Sequence, residues 1–242
     1  MDPILTLQQM LESAKRPVFF GGAGVSTESG VPDFRSADGI YQQEVGAETI
    51  LTPAYMDRNP VDFWRFYRQY FMPEGIKPNA CHLALAALEK RGKMQAVITQ
   101  NVDGLHQAAG SLNVIELHGN GRRFYCERCG KPASFEAVKQ CLEPPTCACG
   151  GRVRPDIVLY NESLDTTALE AALAAITATD LLIIGGTSMT VYPAAGLVRY
   201  QQAGHLVIIN RDKTGREGKA DLVINDAIAL VFEKIAAGLG LF

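Results

Sequence analysis

Four of the chain's six cysteines fall in two close pairs, Cys126-x-x-Cys129 and Cys147-x-Cys149, with 17 residues between the pairs. Two thiol pairs at this separation suit a tetrahedral zinc site. Four thiolates leave no open coordination position, so such a metal is structural. The C-x-C is one residue tighter than the common C-x-x-C knuckle. The remaining thiols stand outside this pattern. Cys141 is a poorer ligand, and Cys81 reads as a small buried apolar residue of a helix.

Other residues with chemistry in them follow short apolar runs. "IELHGN" places His118 directly after one such run, where an imidazole titrating near about 6.5 can serve as a general base; a packed turn histidine has the same local pattern. "TQNVDGLHQAAG" gathers Gln100, Asn101 and Asp103. Amides and a carboxylate there can hold ribose hydroxyls and a carboxamide, and an Asx-turn opening a helix is the plainer alternative. His106 reads as structural. "FFGGAGVSTESGVPDFRS" starts like a dinucleotide loop, with Gly22 and Gly24 letting backbone N–H groups approach a pyrophosphate. The third glycine of that fingerprint is replaced by Thr27, and the acidic residue that normally follows by about 20 positions to hold a ribose is not evident. Instead comes "PDFR", with Phe34 offering an aromatic face and Arg35 a fork of donors.

These groups need a frame that brings them together. Buried strands are expected at Val18–Phe20, Ala96–Thr99, Val114–Leu117, Leu181–Ile184, Leu206–Ile209 and Leu222–Ile224. Helical patterns lie between them, at Pro78–Lys90, around Leu169–Ile176 and over Ala227–Ala236. Strands alternating with helices imply an α/β fold with a doubly wound parallel sheet. In such sheets ligands sit beyond the carboxyl ends of the strands, which collects "GGAG", "QNVDG", "HGN", "GGTS" and "NRD" on one edge. Asp38–Lys77 and Arg122–Arg154 break the alternation and read as insertions forming a smaller module.

Composition narrows the partners. Hydrophobic residues make up 47% and charged residues 20% of the 242, the balance of a chain that can bury a core. The net charge is −3 and there is no basic run, which argues against nucleic acid. No apolar stretch reaches the roughly 20 residues of a membrane span, and the N-terminal segment reads as an amphipathic helix without a leader pattern. A cytoplasmic monomer is the expectation.

Together these segments resemble the sirtuin family of NAD-dependent protein-lysine deacylases, in a compact bacterial-type form. The matching stretches are "GAGVSTESGVPDFRS", "TQNVDGLHQAAG", "ELHGN", the cysteine pairs, "RPDIVLYNE", "GTSMTVYPAA" and "VIIN". The resemblance implies a Rossmann-like domain of residues 1–38, 78–119 and 155–242. A helical insertion (39–77) and a zinc-binding insertion (120–154) would form the small domain. It implies NAD as a cleaved co-substrate and one structural zinc. Gly22, Ala23, Gly24, Thr27, Phe34 and Arg35 would surround the NAD, and Gln100 would hold the ribose beside nicotinamide. Asn101, Val102 and Asp103 would form the nicotinamide side. Gly186, Thr187 and Ser188 would hold phosphate or ribose, Asn210 the adenosine ribose, and Ala227 would lie by the adenine. An acyl-lysine protein or peptide would enter between His118, Val158 and Tyr160. Its carbonyl oxygen would attack the ribose as nicotinamide leaves, with His118 then acting as base on a ribose hydroxyl. The products would be free lysine, nicotinamide and O-acyl-ADP-ribose.

The chain departs from the family pattern at several places. Gly21 stands for a usual threonine, Ala108 for an arginine, and Asn161 for the glycine of "FGE". Some bacterial-type relatives carry a Tyr-x-x-Arg pair for acidic acyl groups. Its places here hold Trp64 and Tyr67, which implies a preference for neutral acyl groups over succinyl. Mono-ADP-ribosyl transfer and a non-catalytic NAD-sensing module are the alternative readings.

Overall fold

The computed structural model describes residues 2–33, 39–40 and 46–242. Six strands form a parallel sheet: β1 (Pro17–Gly21), β2 (Ala96–Thr99), β3 (Val114–Glu116), β7 (Leu181–Gly185), β8 (His205–Ile209) and β9 (Leu222–Ile224). Their order is β3-β2-β1-β7-β8-β9. Counted within the sheet alone, this is the Rossmann order, whose direction of winding reverses between β1 and β7. β1, β2 and β7 are buried throughout, as unbroken apolar runs require when both sheet faces are covered.

Each face has its own core. On one, Leu7 and Leu11 of helix Pro3–Ser13, Leu85 and Leu88 of helix Ala80–Lys90, and Phe232 and Ile235 of helix Ile228–Leu239 pack against Phe19, Val97, Ile183 and Val207. On the other, Ala172 and Ile176 of helix Thr166–Ala178 pack with Leu197 against Val18, Phe20, Ile98 and Leu182. Alternate strand residues point to opposite faces, so one run of β-branched and aromatic residues supplies both cores. Helix Ala80–Lys90 starts two residues later than the expected Pro78. Asn79 is its cap, accepting from the Cys81 N–H, while the His82 ring accepts the Asn79 N–H.

The two insertions make a third core. Helices Ala47–Ile50, Pro53–Arg58 and Pro60–Phe71 pack on a small antiparallel sheet in the order β5 (Pro132–Ala133), β4 (Gly119–Cys126), β6 (Val153–Ile157). Phe63, Trp64, Tyr67 and Phe124 are buried together there, with Val138 and Val153. The cysteine segment therefore carries more core than its sequence suggests. β4 starts at Gly119 and β6 runs to Ile157, with those two residues paired beside the expected boundaries at 119/120 and 154/155. Among the described residues no helix is long and apolar enough to cross a membrane.

Candidate active site

The carboxyl ends of β1 and β7 meet at the reversal point through glycines. The Gly24 N–H donates to the Gly186 carbonyl at 2.8 Å, and the Gly22 N–H to the Gly185 carbonyl at 3.3 Å. A Cβ on Gly24 would lie 2.9 Å from both the Cα and the carbonyl oxygen of Gly186, closer than side chains come to backbone. A Gly24→Val variant is therefore expected to push the two strand ends apart. It should lose dinucleotide binding by calorimetry while the zinc content stays at wild-type level.

The Gly21 position has no room for a side chain. A Cβ there would meet the Phe19 ring at 2.7 Å and Val25 at 3.1 Å. The Phe19 ring, edge-on to Phe232 at 5.9 Å, fills the space a threonine side chain would need. Asn161 has φ +71°, in the left-handed region that asparagine tolerates better than most residues. It can replace glycine there without changing the turn.

A cavity of about 900 Å³ opens along the strand ends, between the large sheet and the small module. Gly22, Ala23, Gly24, Thr27, Gln100, Asn101, Val102, Asp103, His118, Gly186, Thr187, Ser188, Asn210 and Ala227 line it, with Val158 and Tyr160 on the small-module side. Phe34 and Arg35 lie outside the described residues. Trp64 and Tyr67 do not line it. Trp64 sits in the aromatic core, and the Tyr67 hydroxyl donates to the Gly121 carbonyl at 3.0 Å. Tyr70 and Phe71 are the residues of that helix that reach the wall.

Hydrogen bonds fix the polar groups. The His118 Nδ1–H donates to the Gln100 carbonyl at 2.8 Å, which assigns the proton to Nδ1 and leaves Nε2 as the acceptor. Burial pushes the His118 pKa below its ordinary value, against the opposing pull of the Gln100 carbonyl. The imidazole is therefore neutral and basic at neutral pH. Gln100 is held in turn by its Nε2 donating to Thr187 Oγ1 at 3.1 Å. Ser26, fully buried, donates to Asp103 Oδ2 at 2.7 Å and accepts from Asn101 Nδ2 at 3.1 Å. The Leu105 N–H donates to the other Asp103 oxygen at 2.8 Å. Burial pushes the Asp103 carboxyl up, and these donors hold it partly back. Ser26 was present in the quoted glycine loop, but nothing in its spacing marked it as the link between the amide and the carboxylate.

The four paired cysteines converge in the small module, their sulfurs all within 4.8 Å of one another. Cys126 and Cys149 sulfurs are 3.5 Å apart, Cys129 and Cys147 sulfurs 3.8 Å. A tetrahedron with zinc–sulfur bonds of about 2.3 Å has edges of about 3.8 Å, so the donor set fits zinc. The tight C-x-C is accommodated by a glycine turn. Gly150 has φ +78°, and the Gly151 carbonyl accepts the Cys147 N–H at 2.8 Å. Cys141 is not in the cluster, and Cys81 is fully buried.

An open α/β sheet with polar residues converging at its reversal point defines a dinucleotide-site protein, here with a four-cysteine ribbon against the cleft. A family model described as the Sir2 family matches residues 22–193. An NAD-dependent protein deacetylase of Clostridium perfringens is 47% identical over 240 residues, covering 97% of this chain and 98% of the relative. One of Cutibacterium acnes is 49% identical over 226 residues, covering 92% and 93%. A solved Sir2 structure with a deacetylated p53 peptide and 3'-O-acetyl ADP ribose matches with a TM-score of 0.90 at 36% identity, over 98% of both chains. A Sir2 structure with a p53 peptide and NAD+ matches with a TM-score of 0.86 at 36% identity, again over 98% of both. The chain belongs to the Sir2 family.

Proposed function

We propose that this chain is an NAD-dependent protein-lysine deacetylase that consumes NAD, releasing nicotinamide, free lysine and O-acetyl-ADP-ribose. The observation that carries this reading is the state of His118. Its Nδ1–H is committed to the Gln100 carbonyl, and among the described residues its Nε2 has no partner on the cavity side. A neutral imidazole held this way takes a proton from a ribose hydroxyl without first losing its own. Gln100, fixed by Thr187, holds the ribose within reach. Asn101 and Asp103, braced by Ser26, hold the carboxamide of nicotinamide. Gly22 to Gly24 and Gly186 to Ser188 take the phosphates at the strand reversal, and Asn210 and Ala227 the adenosine end. Zinc, held by Cys126, Cys129, Cys147 and Cys149, supplies only a cross-link in the small module. The large sheet binds NAD, and the two insertions supply the peptide side of the cleft.

The acyl group is neutral by preference. Near the wall formed by Tyr70, Phe71, Ile157 and Leu159, helix Pro60–Phe71 presents no free cation. Arg65 pairs with Asp62, and Arg68 donates to the Val138, Leu142 and Glu143 carbonyls. A succinyl carboxylate entering there would lose its water without gaining a partner from that helix; of the other cations lining the cavity, Arg122 lies over the Phe135 ring and Lys139 pairs with Glu74. With acetyl- and succinyl-lysine peptides, nicotinamide and free lysine are expected to appear together and only with NAD. The acetyl peptide should have the higher kcat/KM. Equal release of lysine without NAD would overturn the activity, and faster desuccinylation would overturn the acyl preference.

A further inference from the structure

The peptide-side wall of the cavity has little regular structure of its own. β6 ends at Ile157, and the chain from there to Glu162 lines the cavity mostly as loop and turn. It is held from behind by one guanidinium. Arg154, whose side chain is 10% exposed, donates from Nη1 and Nη2 to the two Glu162 oxygens at 2.8 and 2.9 Å. Its Nη2 also donates to the Ile157 carbonyl at 3.1 Å. Glu162 Oε2 in turn accepts the Leu159 N–H at 2.8 Å. The segment is thus closed into a loop pinned at its beginning, middle and end. A planar fork reaching two oxygens at once fixes direction as well as distance.

The clamp continues into the small module. Glu127, next to the cysteine Cys126, lies 3.9 Å from Arg154 and takes Arg152 at 2.6 Å. Arg152 also reaches Asp57 of helix Pro53–Arg58. Charges of alternating sign therefore run Asp57, Arg152, Glu127, Arg154, Glu162, from the helical insertion past the cysteine knuckle to the cavity wall. Asp57 and Arg152 are about half exposed and contribute little energy. Arg154 is the buried member, and removing its partner would leave a charge without compensation.

We propose that Arg154 is a positioning residue for the acyl-lysine side of the reaction. Its fork on Glu162 and Ile157 sets the wall that carries Val158 and Tyr160, and so ties peptide affinity to the geometry of the small module. This rests on the assignment of Val158 and Tyr160 to the acyl-lysine. Arg154 itself bonds no residue assigned to NAD, and the one link from the clamped segment to that side is the Val158 N–H donating to the His118 carbonyl, so the main effect falls on the peptide.

The test uses the full-length, zinc-loaded protein with two variants. Arg154→Lys keeps the charge and loses the fork. Arg154→Gln combined with Glu162→Gln loses the clamp while leaving no buried charge unpaired. In both, KM for an acetyl-lysine peptide is expected to rise on the order of tenfold, since small displacements of positioning groups have effects of this size or larger. KM for NAD should stay within about twofold, which marks a binding interaction on one side only. Amide hydrogen exchange at residues 157–162 should quicken in both variants. An unchanged peptide KM in folded variants would overturn the proposal, as would both KM values rising together. If the wild-type protein shows no NAD-dependent deacetylation, the functional reading falls and the exchange measurement decides. Faster exchange confined to 157–162 then supports the clamp, and unchanged exchange overturns it.

Discussion

Replacing His118 with alanine or asparagine is expected to lower the deacetylation kcat by about 10²- to 10⁴-fold, the usual contribution of a positioned general base. The two substitutions separate chemistry from structure. Asparagine keeps a donor that can serve the Gln100 carbonyl at the Nδ1 position, so the local hydrogen bond is retained while the base is lost. Alanine removes both. Similar losses in the two variants would assign the effect to Nε2, whereas activity retained in either would sink the assignment. NAD affinity should change little, because the proposed function gives the ribose to Gln100 and the phosphates to the glycine segments. The pH profile gives a second reading. In the proposed reaction His118 is the neutral base, and burial lowers its pKa, so kcat should fall as pH drops, with a midpoint below about 6.5. Two other buried histidines complicate acid conditions. Burial lowers His82 to about 4 and His106 to about 3, so both are neutral in the fold and take up protons on unfolding. Their contribution to stability is complete above about 6.5 and is lost as pH falls toward those values. Circular dichroism across the same pH range separates the two effects. A kcat midpoint that coincides with unfolding would say nothing for His118, and one well above the unfolding midpoint supports it.

The parallel sheet was legible because its strands are buried on both faces and read as unbroken apolar runs. Ala96–Thr99 and Leu222–Ile224 match their expected bounds, and the others differ by one or two residues. Gln100, Asn101 and Asp103 followed directly, since a parallel sheet puts every strand's carboxyl end on one edge. The small sheet was not legible for the opposite reason. In β4 the register shifts between Asn120 and Phe124, and two exposed arginines, Arg122 and Arg123, interrupt the alternation that marks a half-buried strand. β5 has only two residues. The Tyr-x-x-Arg pattern assigns Trp64 and Tyr67 to the acyl side by their sequence places alone. In a helix, three residues separate neighbours on one face, so such places fix a face only if their register is certain. Here Trp64, Tyr67 and Tyr70 all join the aromatic core, and of the three only Tyr70 also reaches the cleft. Arg154 and Glu162 lie in "RPDIVLYNE", but their pairing depends on the turn at Asn161, which no local pattern announces.

Removing the zinc is expected to abolish activity while leaving much of the large sheet folded. Structural zinc in small modules contributes an apparent binding free energy of about 10–16 kcal/mol, as large as the whole stability of a typical domain. The small sheet has no comparable reserve near the metal. β5 is two residues long, and the Gly151 position faces the sulfurs of Cys126 and Cys149 rather than an apolar core. The large sheet keeps two hydrophobic cores of its own, neither of which includes a cysteine ligand. Loss of metal should therefore melt the small module first. That reaches the active site because β4 begins at Gly119, directly after His118, and β6 runs into the wall of Val158 and Tyr160. The His118 carbonyl itself accepts the Val158 N–H at 2.9 Å, so the catalytic and peptide-side residues share one connection. Cys129 and Cys149 are exposed, which gives a chelator a route to the metal. Metal analysis of the purified protein should give one zinc per chain. Chelation, or Cys126→Ser, should remove it and abolish nicotinamide release with an acetyl-lysine peptide, while far-UV circular dichroism keeps most of its helical signal. Full activity in metal-free protein would refute the structural role assigned to the four thiolates. Complete unfolding on chelation would instead show that the large sheet depends on the small module, against the independence of its two cores.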